Sequence, residues 1–204
     1  MMRLPVNVRR FRSQGTTRRK LPLFATANLR IAQIGTRADF DSVRVFRPGE
    51  WNSIEAFRPR VLTGTAANLQ ELAERVELKV IELSSVDHAI FVLTRCGDEP
   101  LSDVRRVVLW QTFGVPVYEV FLTPSGALAA SECETHEGWH IEPDATFSLV
   151  NGELLVDGFG RKSVHTGLSA FLEHEPCACG RAGARLMNVE RYLAQPPQRL
   201  AATA

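Results

Sequence analysis

The sequence is poor in cysteine, in long apolar runs and, near its start, in acidic residues. It has four cysteines among 204 residues, and without a secretion signal these favour thiols or metal ligands over disulfide bonds. No apolar run approaches the ~20 residues that span a membrane. The N-terminus also lacks the apolar core of a secretory signal, although its Arg-rich character resembles an organelle transit peptide. We therefore expect a cytoplasmic protein without a membrane span.

The first part of the chain is a basic arm, because no acidic residue occurs before Asp39. The basic residues of this stretch are Arg3, Arg9, Arg10, Arg12, Arg18, Arg19, Lys20, Arg30 and Arg37. Such an arm either binds phosphates or forms a solvated end. The formal net charge of the whole chain is only +1, which disfavours nucleic acid or another polyanion as the partner.

Helix and strand patterns alternate in the middle of the chain. Apolar residues at helical spacing predict a helix over 65–77 with Thr65 as its N-cap, and a second over 100–114 between Ser102 and Gly114. Segments rich in β-branched and aromatic residues predict strands over 79–83, 88–94 and 115–123. Strand, helix and strand in succession indicate an α/β layer with parallel pairing.

Short strands separated by turns follow, as in ALAASECE, GWHIEP, TFSLV and ELLVDGF, and predict a β-rich, antiparallel subdomain. We divide the chain into a basic arm (1–38), an α/β portion (39–130), the β-rich subdomain (131–191) and a Pro-containing flexible tail (192–204). The predicted fold class is α/β, a mixed sheet with helices plus a small β-rich subdomain.

Two cysteines, Cys177 and Cys179, stand one residue apart in HEPCACGRAG. A tight turn at Pro176 and Gly180 could aim both at one metal ion. A turn at Gly138 could present Cys133 and His140 from adjacent strands and complete a Cys3His set, with His136 as the competing imidazole. Four protein donors of this kind make a closed, structural zinc site. Free thiols and a redox pair stay open as alternatives from the spacing alone.

Several blocks together resemble the phenylacetate–CoA ligase family of adenylate-forming enzymes. In order, they are FRPRVLTGTAANLQELAER, GDEPLSDVRR, TFGVPVYEVF, ASECETHEGWHIEPD, NGELLV and PCACGRAGARL. The resemblance covers roughly residues 57–189 and implies a truncated adenylate-forming-type domain. It also implies zinc at Cys133, His140, Cys177 and Cys179, and favours His140 over His136, because the GxH histidine fits the family pattern.

Enzymes of that family activate a carboxylate with ATP and transfer the acyl group to a thiol. Their phosphate loop resembles SQGTTRRKLPLF, in which Gly15, Thr16 and Thr17 fit, whereas Arg18 and Lys20 replace a glycine and a proline. Arginine restricts a backbone that glycine would leave free, so we expect at most an anion there. The sequence shows no counterpart of the family's C-terminal lid and its lysine.

Two further nucleotide motifs are degenerate. In FLTPSG, Thr123 remains but Pro124 stands where the magnesium-binding glutamate is expected, and proline offers no side-chain oxygen to the ion. In HTGL, Thr166 and Gly167 remain but Leu168 replaces the ribose-binding aspartate, and leucine accepts no hydrogen bonds. A residual nucleotide site would consist of Gly15, Thr16, Thr17, Thr123, Thr166 and Gly167, with Thr123 as the residual adenylate contact.

These losses indicate a shortened relative that does not activate acyl groups and instead binds a partner, such as a full-length ligase or a lid-bearing protein. The alternatives are an active ligase or acyl transferase whose lid comes from another chain, and a zinc-stapled module that binds polyanions. A shortened sheet with exposed apolar surface would also favour a homodimer. Zinc is the expected cofactor, and ATP with magnesium is disfavoured.

Overall fold

The computed structural model describes residues 29–35, 43–157 and 163–193, which form three helices and twelve strands. The helices are α1 (Trp51–Phe57), α2 (Ala66–Glu77) and α3 (Asp103–Phe113). The strands of the first half are β1 (Ile31–Ile34), β2 (Val43–Phe46), β3 (Val61–Gly64), β4 (Ala89–Arg95) and β5 (Val117–Leu122). Those of the second half are β6 (Leu128–Glu132), β7 (Trp139–Ile141), β8 (Thr146–Val150), β9 (Glu153–Asp157), β10 (Val164–His165), β11 (Leu168–Glu173) and β12 (Arg185–Arg191).

Nine of these strands form one mixed sheet in the order β11-β12-β7-β6-β5-β4-β3-β1-β2. The pairs from β2 to β5 are parallel, whereas the pairs from β5 to β11 are antiparallel. The predicted strand–helix–strand unit is confirmed, since β4 and β5 pair in parallel with Ile90 opposite Val117 and α3 between them in sequence. The α/β fold class with a mixed sheet is therefore confirmed.

The two predicted helices begin at their predicted caps. The hydroxyl of Thr65 accepts a hydrogen bond from the backbone N–H of Asn68, and that of Ser102 accepts one from Arg105, each satisfying a donor at a helix start. Gly114 ends α3 in the left-handed region at φ 68°, where glycine carries no Cβ penalty. Within the described ranges, no helix is long and apolar enough to cross a membrane.

The strand predicted over 79–83 is wrong. Lys79 adopts φ 57° and its N–H donates to Val76 O, while the N–H of Val80 donates to Arg75 O. This pair of bonds closes the C-terminus of α2 in the manner of a Schellman motif, and the backbone donors it uses cannot join a ladder. Sequence reasoning also missed α1 and the strands β1, β2, β3, β10, β11 and β12. Turn signals dominate the sequence around α1 and before β3.

The strands of the second half are antiparallel, as predicted. Strands β8, β9 and β10 form a separate three-stranded sheet, with Asn151 and Gly152 in its tight turn at φ 51° and 87°. Strands β6, β7, β11 and β12 instead continue the nine-stranded sheet. This sheet therefore contains residues from both sides of the boundary predicted between residues 130 and 131, and the division into domains stays a prediction.

Three apolar clusters form the core. The first contains every buried apolar residue of the three helices, together with residues of strands β1 to β5. The second consists of strand residues such as Phe91 and Val120 on the opposite face of the same strands. The third joins Phe121 and Trp139 of the large sheet to Phe147, Leu154 and Val156 of the small one. The helices and the small sheet therefore cover one face of the large sheet.

The turn between β6 and β7 requires glycine at position 138. Gly138 has φ +79°, and a Cβ there would lie 2.5 Å from Leu186 O and 2.5 Å from Met187 Sδ. We predict that Gly138→Ala lowers the free energy of unfolding by more than the ~1–2 kcal/mol of a left-handed alanine, measured by urea denaturation. Gly114→Ala, at φ +68° with open space around the new Cβ, is the matched control. Equal losses for the two variants would contradict the close packing of this turn.

Candidate metal centre

Three elements bring the predicted ligands together at the antiparallel end of the large sheet. Cys133 directly follows β6, His140 lies at the centre of β7, and Cys177 and Cys179 lie in the loop between β11 and β12. Strand β7 pairs with β6 on one side and with β12 on the other, so His140 stands opposite both Ser131 and Arg185. One donor atom from each of the four residues lies within 4.8 Å of all the others.

The distances within this cluster suit a single ion. Cys133 Sγ lies 3.7 Å from Cys177 Sγ, and Cys179 Sγ lies 3.4 Å from His140 Nε2. A tetrahedral ion held at ~2.3 Å by sulfur and ~2.0 Å by nitrogen has donor–donor edges of roughly 3.5–3.8 Å. Cys133, His140 and Cys177 are buried, and Cys179 is half-buried. The cluster therefore has the donors and the spacing of a closed mononuclear site.

The histidine of the cluster is neutral at pH 7. Burial and the positive charges of Arg181 and Arg185 lower the pKa of His140 to about 4. Its Nε2 faces the cysteines, while Nδ1 is buried without a hydrogen-bond partner in the described part of the chain. Only Nε2 can therefore fix the orientation of the ring, and a neutral imidazole is the form that binds a metal.

The thiols are polarised by neighbouring hydrogen bonds. Burial alone would raise the pKa of Cys177, but bonds from the Thr135 hydroxyl and the Cys179 backbone N–H lower it to about 7. The Thr135 hydroxyl lies 3.1 Å from Cys133 Sγ and 3.3 Å from Cys177 Sγ. Burial raises the pKa of Cys179 to about 11, so Cys177 ionises before Cys179. A metal ion would be needed to hold both as thiolates at neutral pH.

Two arginines surround the cluster with positive charge. The guanidinium of Arg185, only 5% exposed as a residue, donates to Glu137 O, to the Glu137 carboxylate and to Glu175 O. Arg181 donates its backbone N–H to Cys179 Sγ and its side chain to Glu142. Each guanidinium is thus paired with a carboxylate, and the Glu137 carboxylate itself lies 3.7 Å from Cys177 Sγ.

His136, the competing imidazole, lies outside the cluster. Its ring stacks on Tyr118 with 5.2 Å between the ring centroids, and its Nδ1 lies 3.5 Å from a Glu132 oxygen and 3.4 Å from Arg106 Nη1. The choice that the sequence left open between the two histidines thus falls on His140 by geometry.

A buried polar network adjoins the cluster, and sequence reasoning missed it. Arg106 of α3 forms a two-bond ion pair with Glu132 of β6 and also donates to Val117 O. The Glu132 carboxylate also accepts a hydrogen bond from the backbone N–H of Glu119. Burial alone would raise the pKa of Glu132, but His136 and Arg106 hold it below its ordinary value. These residues are far apart in sequence and follow no motif, so no sequence signal could have found them.

Glu119 of β5 is a buried carboxyl group that forms no ion pair of its own with the residues that the structure describes. Its Oε1 accepts hydrogen bonds from the Thr94 hydroxyl and from the Leu101 backbone N–H, which attaches the loop before α3 to the sheet. Burial raises the pKa of Glu119 to about 7. The group therefore titrates near neutral pH inside the core.

The structure gives the residual nucleotide residues internal roles. Thr123 is 1% exposed, and its hydroxyl accepts the Ala127 N–H at 3.1 Å and bonds Ser125 Oγ at 2.9 Å. Thr166 is 0% exposed, and its hydroxyl donates to Leu154 O and accepts the Leu168 N–H. No hydrogen bond joins these two residues within the described part of the chain.

Gly167 donates its N–H to Glu153, whose carboxylate also lies 2.7 Å from His165 Nδ1. The remaining predicted nucleotide residues, Gly15, Thr16 and Thr17, lie outside the described residues. Of the nucleotide site expected from the sequence, the structure therefore describes only the loop at Thr123 and the loop at Thr166 and Gly167. The polar groups of both loops form hydrogen bonds with other groups of the chain.

Comparison with known proteins identifies the fold. No family model and no curated protein sequence matches the chain. The solved structures that match include acyl-CoA and acid ligases and a luciferase-like enzyme. The chain therefore shares its fold with part of these ligases and of the luciferase-like enzyme, in agreement with the fold expected from the sequence.

The particular matches are distant in sequence. An open conformation of 2-hydroxyisobutyryl-CoA ligase matches with a TM-score of 0.61 and 14% identity, over 79% of this chain and 45% of the ligase. The luciferase-like enzyme of the mealworm Zophobas morio matches with a TM-score of 0.51 and 15% identity, over 79% and 50%. Coronafacic acid ligase of Pectobacterium brasiliense matches with a TM-score of 0.51 and 13% identity, over 81% and 41%. The chain thus spans about half the length of these structures, and its kinship with phenylacetate–CoA ligases in particular stays a prediction.

The raised pKa of Glu119 makes stability depend on pH. The folded carboxyl keeps its proton up to about pH 7, whereas the unfolded one loses it near the ordinary value of 4.5. The folded state then binds more protons between these values, so the free energy of unfolding falls as pH rises through them. We predict that Glu119→Gln removes this decline, measured as the difference between urea denaturation curves of the two proteins from pH 4.5 to 8. Glu190→Gln, at an exposed carboxylate, is the control. If the free energy of unfolding of the Glu119 variant changed with pH in parallel with that of the parent, the raised pKa of Glu119 would be contradicted.

Proposed function

We propose that this protein is a zinc-stabilised binding protein that has the fold of an adenylate-forming ligase and does not activate acyl groups with ATP. The observation that carries the proposal is the state of Thr123 and Thr166. Both threonines are buried, and each hydroxyl makes two hydrogen bonds to other groups of the chain itself. A phosphate or an adenylate would have to displace these bonds, and a buried polar group left without a partner costs ~1–3 kcal/mol.

The neighbouring positions support the same conclusion. Pro124 has no side-chain oxygen for magnesium, a hard cation that takes oxygen ligands. Leu168 is 1% exposed and packs in the third apolar cluster with Phe121 and Trp139. Its side chain is therefore a core residue, and it offers no acceptor to ribose hydroxyls.

Zinc is the proposed cofactor, with Cys133, His140, Cys177 and Cys179 as its four ligands. The donor spacing and the neutral imidazole support this assignment. Four protein donors leave no open position for water or substrate, so the role of the ion is structural. It would tie the β6–β7 hairpin to the β11–β12 loop, and its binding free energy would add to folding stability.

The proposed partner is a complete adenylate-forming ligase or a lid-bearing protein of the same superfamily. The likeness of fold supports this choice, since the chain matches about half of such an enzyme. An active ligase with its lid supplied by another chain is the competing function, and it requires the binding of ATP.

The first test is nucleotide binding. We predict no heat of ATP binding with magnesium in titration calorimetry and no carboxylate-dependent exchange of pyrophosphate into ATP, because Pro124 and Leu168 offer no side-chain oxygen to the ion or to ribose and the hydroxyls of Thr123 and Thr166 are already hydrogen-bonded. A complete adenylate-forming ligase assayed in parallel serves as the positive control. Exchange above background with any carboxylic acid of a panel would refute the non-catalytic function.

The second test concerns the metal. We predict that the purified chain contains about one zinc per molecule, and that Cys179→Ser lowers the zinc content and the melting temperature together. Cys96→Ser is the matched control, since Cys96 is a half-buried cysteine outside the cluster. Metal content should be measured by atomic emission and unfolding by calorimetry. Equal zinc content in the two variants would disprove the ligand set, whatever the outcome of the nucleotide assay.

A further inference from the structure

A cavity of about 590 Å³ lies in the helix layer of the structure. It is bordered by α1, by the C-terminal turns of α2 and α3, and by the loop of residues 78–88 between α2 and β4. We call this segment the α2–β4 loop. None of the residues that line the cavity belongs to the metal cluster. Small-molecule sites in proteins have volumes of roughly 300–1,000 Å³, so the cavity is large enough to hold a ligand.

The floor of the cavity is apolar. Ile81, Leu83 and Val86 of the α2–β4 loop line it, and all three are buried members of the first apolar cluster. Val76 of α2 and Phe113 of α3 also line it and are half-buried against the same cluster. The cavity therefore offers the body of a ligand an apolar surface that is continuous with the core.

Hydrogen bonds fix the walls of the cavity relative to one another. The backbone N–H of Glu82 donates to Glu55 Oε1 at 2.7 Å, which attaches the α2–β4 loop to α1. The hydroxyl of Thr112 donates to Glu77 Oε1 at 2.7 Å, which joins the ends of α3 and α2. These bonds form within the chain itself, so the cavity exists before any ligand enters it.

The polar rim of the cavity carries an excess of negative charge. Glu55 and Glu82 line the cavity, and Lys79 is the one cation among its described lining residues. Glu77 adds a further carboxylate through its bond to Thr112, which also lines the cavity. Helices α2 and α3, of 12 and 11 residues, both end at the cavity, and the C-terminus of a helix carries about half a negative charge. The rim therefore favours a ligand with a cationic group.

Each of the two rim carboxylates has one oxygen left for such a group. Glu55 uses Oε1 for the N–H of Glu82, and Glu82 uses Oε1 for the hydroxyl of Ser84 at 3.0 Å. The second oxygen of either carboxylate forms no hydrogen bond within the described part of the chain. A primary ammonium group has three N–H donors and no acceptor, which matches two carboxylate oxygens on one rim.

We propose that the cavity is a binding site for a small primary amine with an apolar body. The ammonium group binds the carboxylates of Glu55 and Glu82, and the body packs on Leu83, Val86 and Phe113. The site is separate from the metal centre and from the nucleotide motifs, so it stands or falls independently of the proposed function.

Titration of the full, isotope-labelled chain by nuclear magnetic resonance tests this proposal. Hexylamine is the probe, and hexanoate, of the same chain length and opposite charge, is its matched control. Hexylamine should shift the amide resonances of the α2–β4 loop to saturation, with a Kd on the order of 1 mM for so small a ligand. Hexanoate should bind there several-fold more weakly, because the charge of the rim repels a carboxylate.

Three variants separate the charge of the rim from its hydrogen bonds. The double variant Glu55→Gln, Glu82→Gln keeps the oxygens that accept from the chain and removes both charges, so hexylamine should bind several-fold more weakly. Lys79→Gln removes the like charge and should strengthen the binding of hexylamine. Glu190→Gln, at an exposed carboxylate of β12 outside the cavity, should leave it unchanged.

The absence of saturable shifts with hexylamine would overturn the proposal. Binding of hexanoate that is equally tight and is lost in Lys79→Gln would make the cavity an anion site, which also overturns it. An equal weakening of hexylamine by Glu190→Gln would show attraction to the whole chain rather than to the rim, with the same consequence. If the double variant does not fold, Lys79→Gln decides, since Lys79 is exposed, and an unchanged or weaker affinity for hexylamine in that variant would refute the site.

Discussion

Burial of the two faces of one large sheet is the constraint on which the rest of this structure depends. Parallel strands are buried on both faces in known folds, because their crossover connections place helices there. Here α1, α2 and α3 pack on one face of β1 to β5, and the small sheet continues this layer over β6, β7, β11 and β12 through the third cluster.

The candidate metal centre lies in the antiparallel part of the sheet, where short elements have little core of their own. Strand β7 has only three residues, and the long loop between β11 and β12 carries two of the four donors. The ion pair between Arg106 and Glu132 holds α3 against β6, one residue before Cys133. A bound ion and this ion pair would together fix the hairpin on both of its sides. The centre is therefore well placed to stabilise the fold and poorly placed to expose an ion to substrate.

The sequence was informative where a local rule decides the structure. Thr65 and Ser102 stand at helix starts, where each hydroxyl accepts a hydrogen bond from a backbone N–H. Gly114 ends α3 because glycine adopts the left-handed conformation without a Cβ penalty. The Cys3His cluster could be anticipated because Gly138 permits the hairpin that brings Cys133 beside His140. The failures came from long-range packing and from competing local bonds. The segment after α2 has the composition of a strand, yet its N–H groups are used to close the helix.

The buried carboxyl groups mark a second limit of sequence reasoning. Nothing in the spacing of Glu119, Glu132 and Arg106 shows that the three meet in the core, since their meeting depends on the order of β4, β5 and β6 in the sheet. The same topology decides that His140, rather than His136, belongs to the Cys3His cluster. His136 is drawn away by Tyr118 and Glu132, both of which come from neighbouring strands.

Two threonines of the motifs that resemble nucleotide-binding sequences have structural roles in this fold. Thr123 closes the turn between β5 and β6 by accepting the Ala127 N–H, and Thr166 joins the loop before β11 to β9. Either threonine would be retained for these bonds alone, because an unpaired buried backbone group is costly. Leu168 also has a structural role, because its N–H donates to the Thr166 hydroxyl and its side chain lies in the third apolar cluster. The bonds that these loops make within the chain are therefore enough to account for Thr123, Thr166 and Leu168 in the structure.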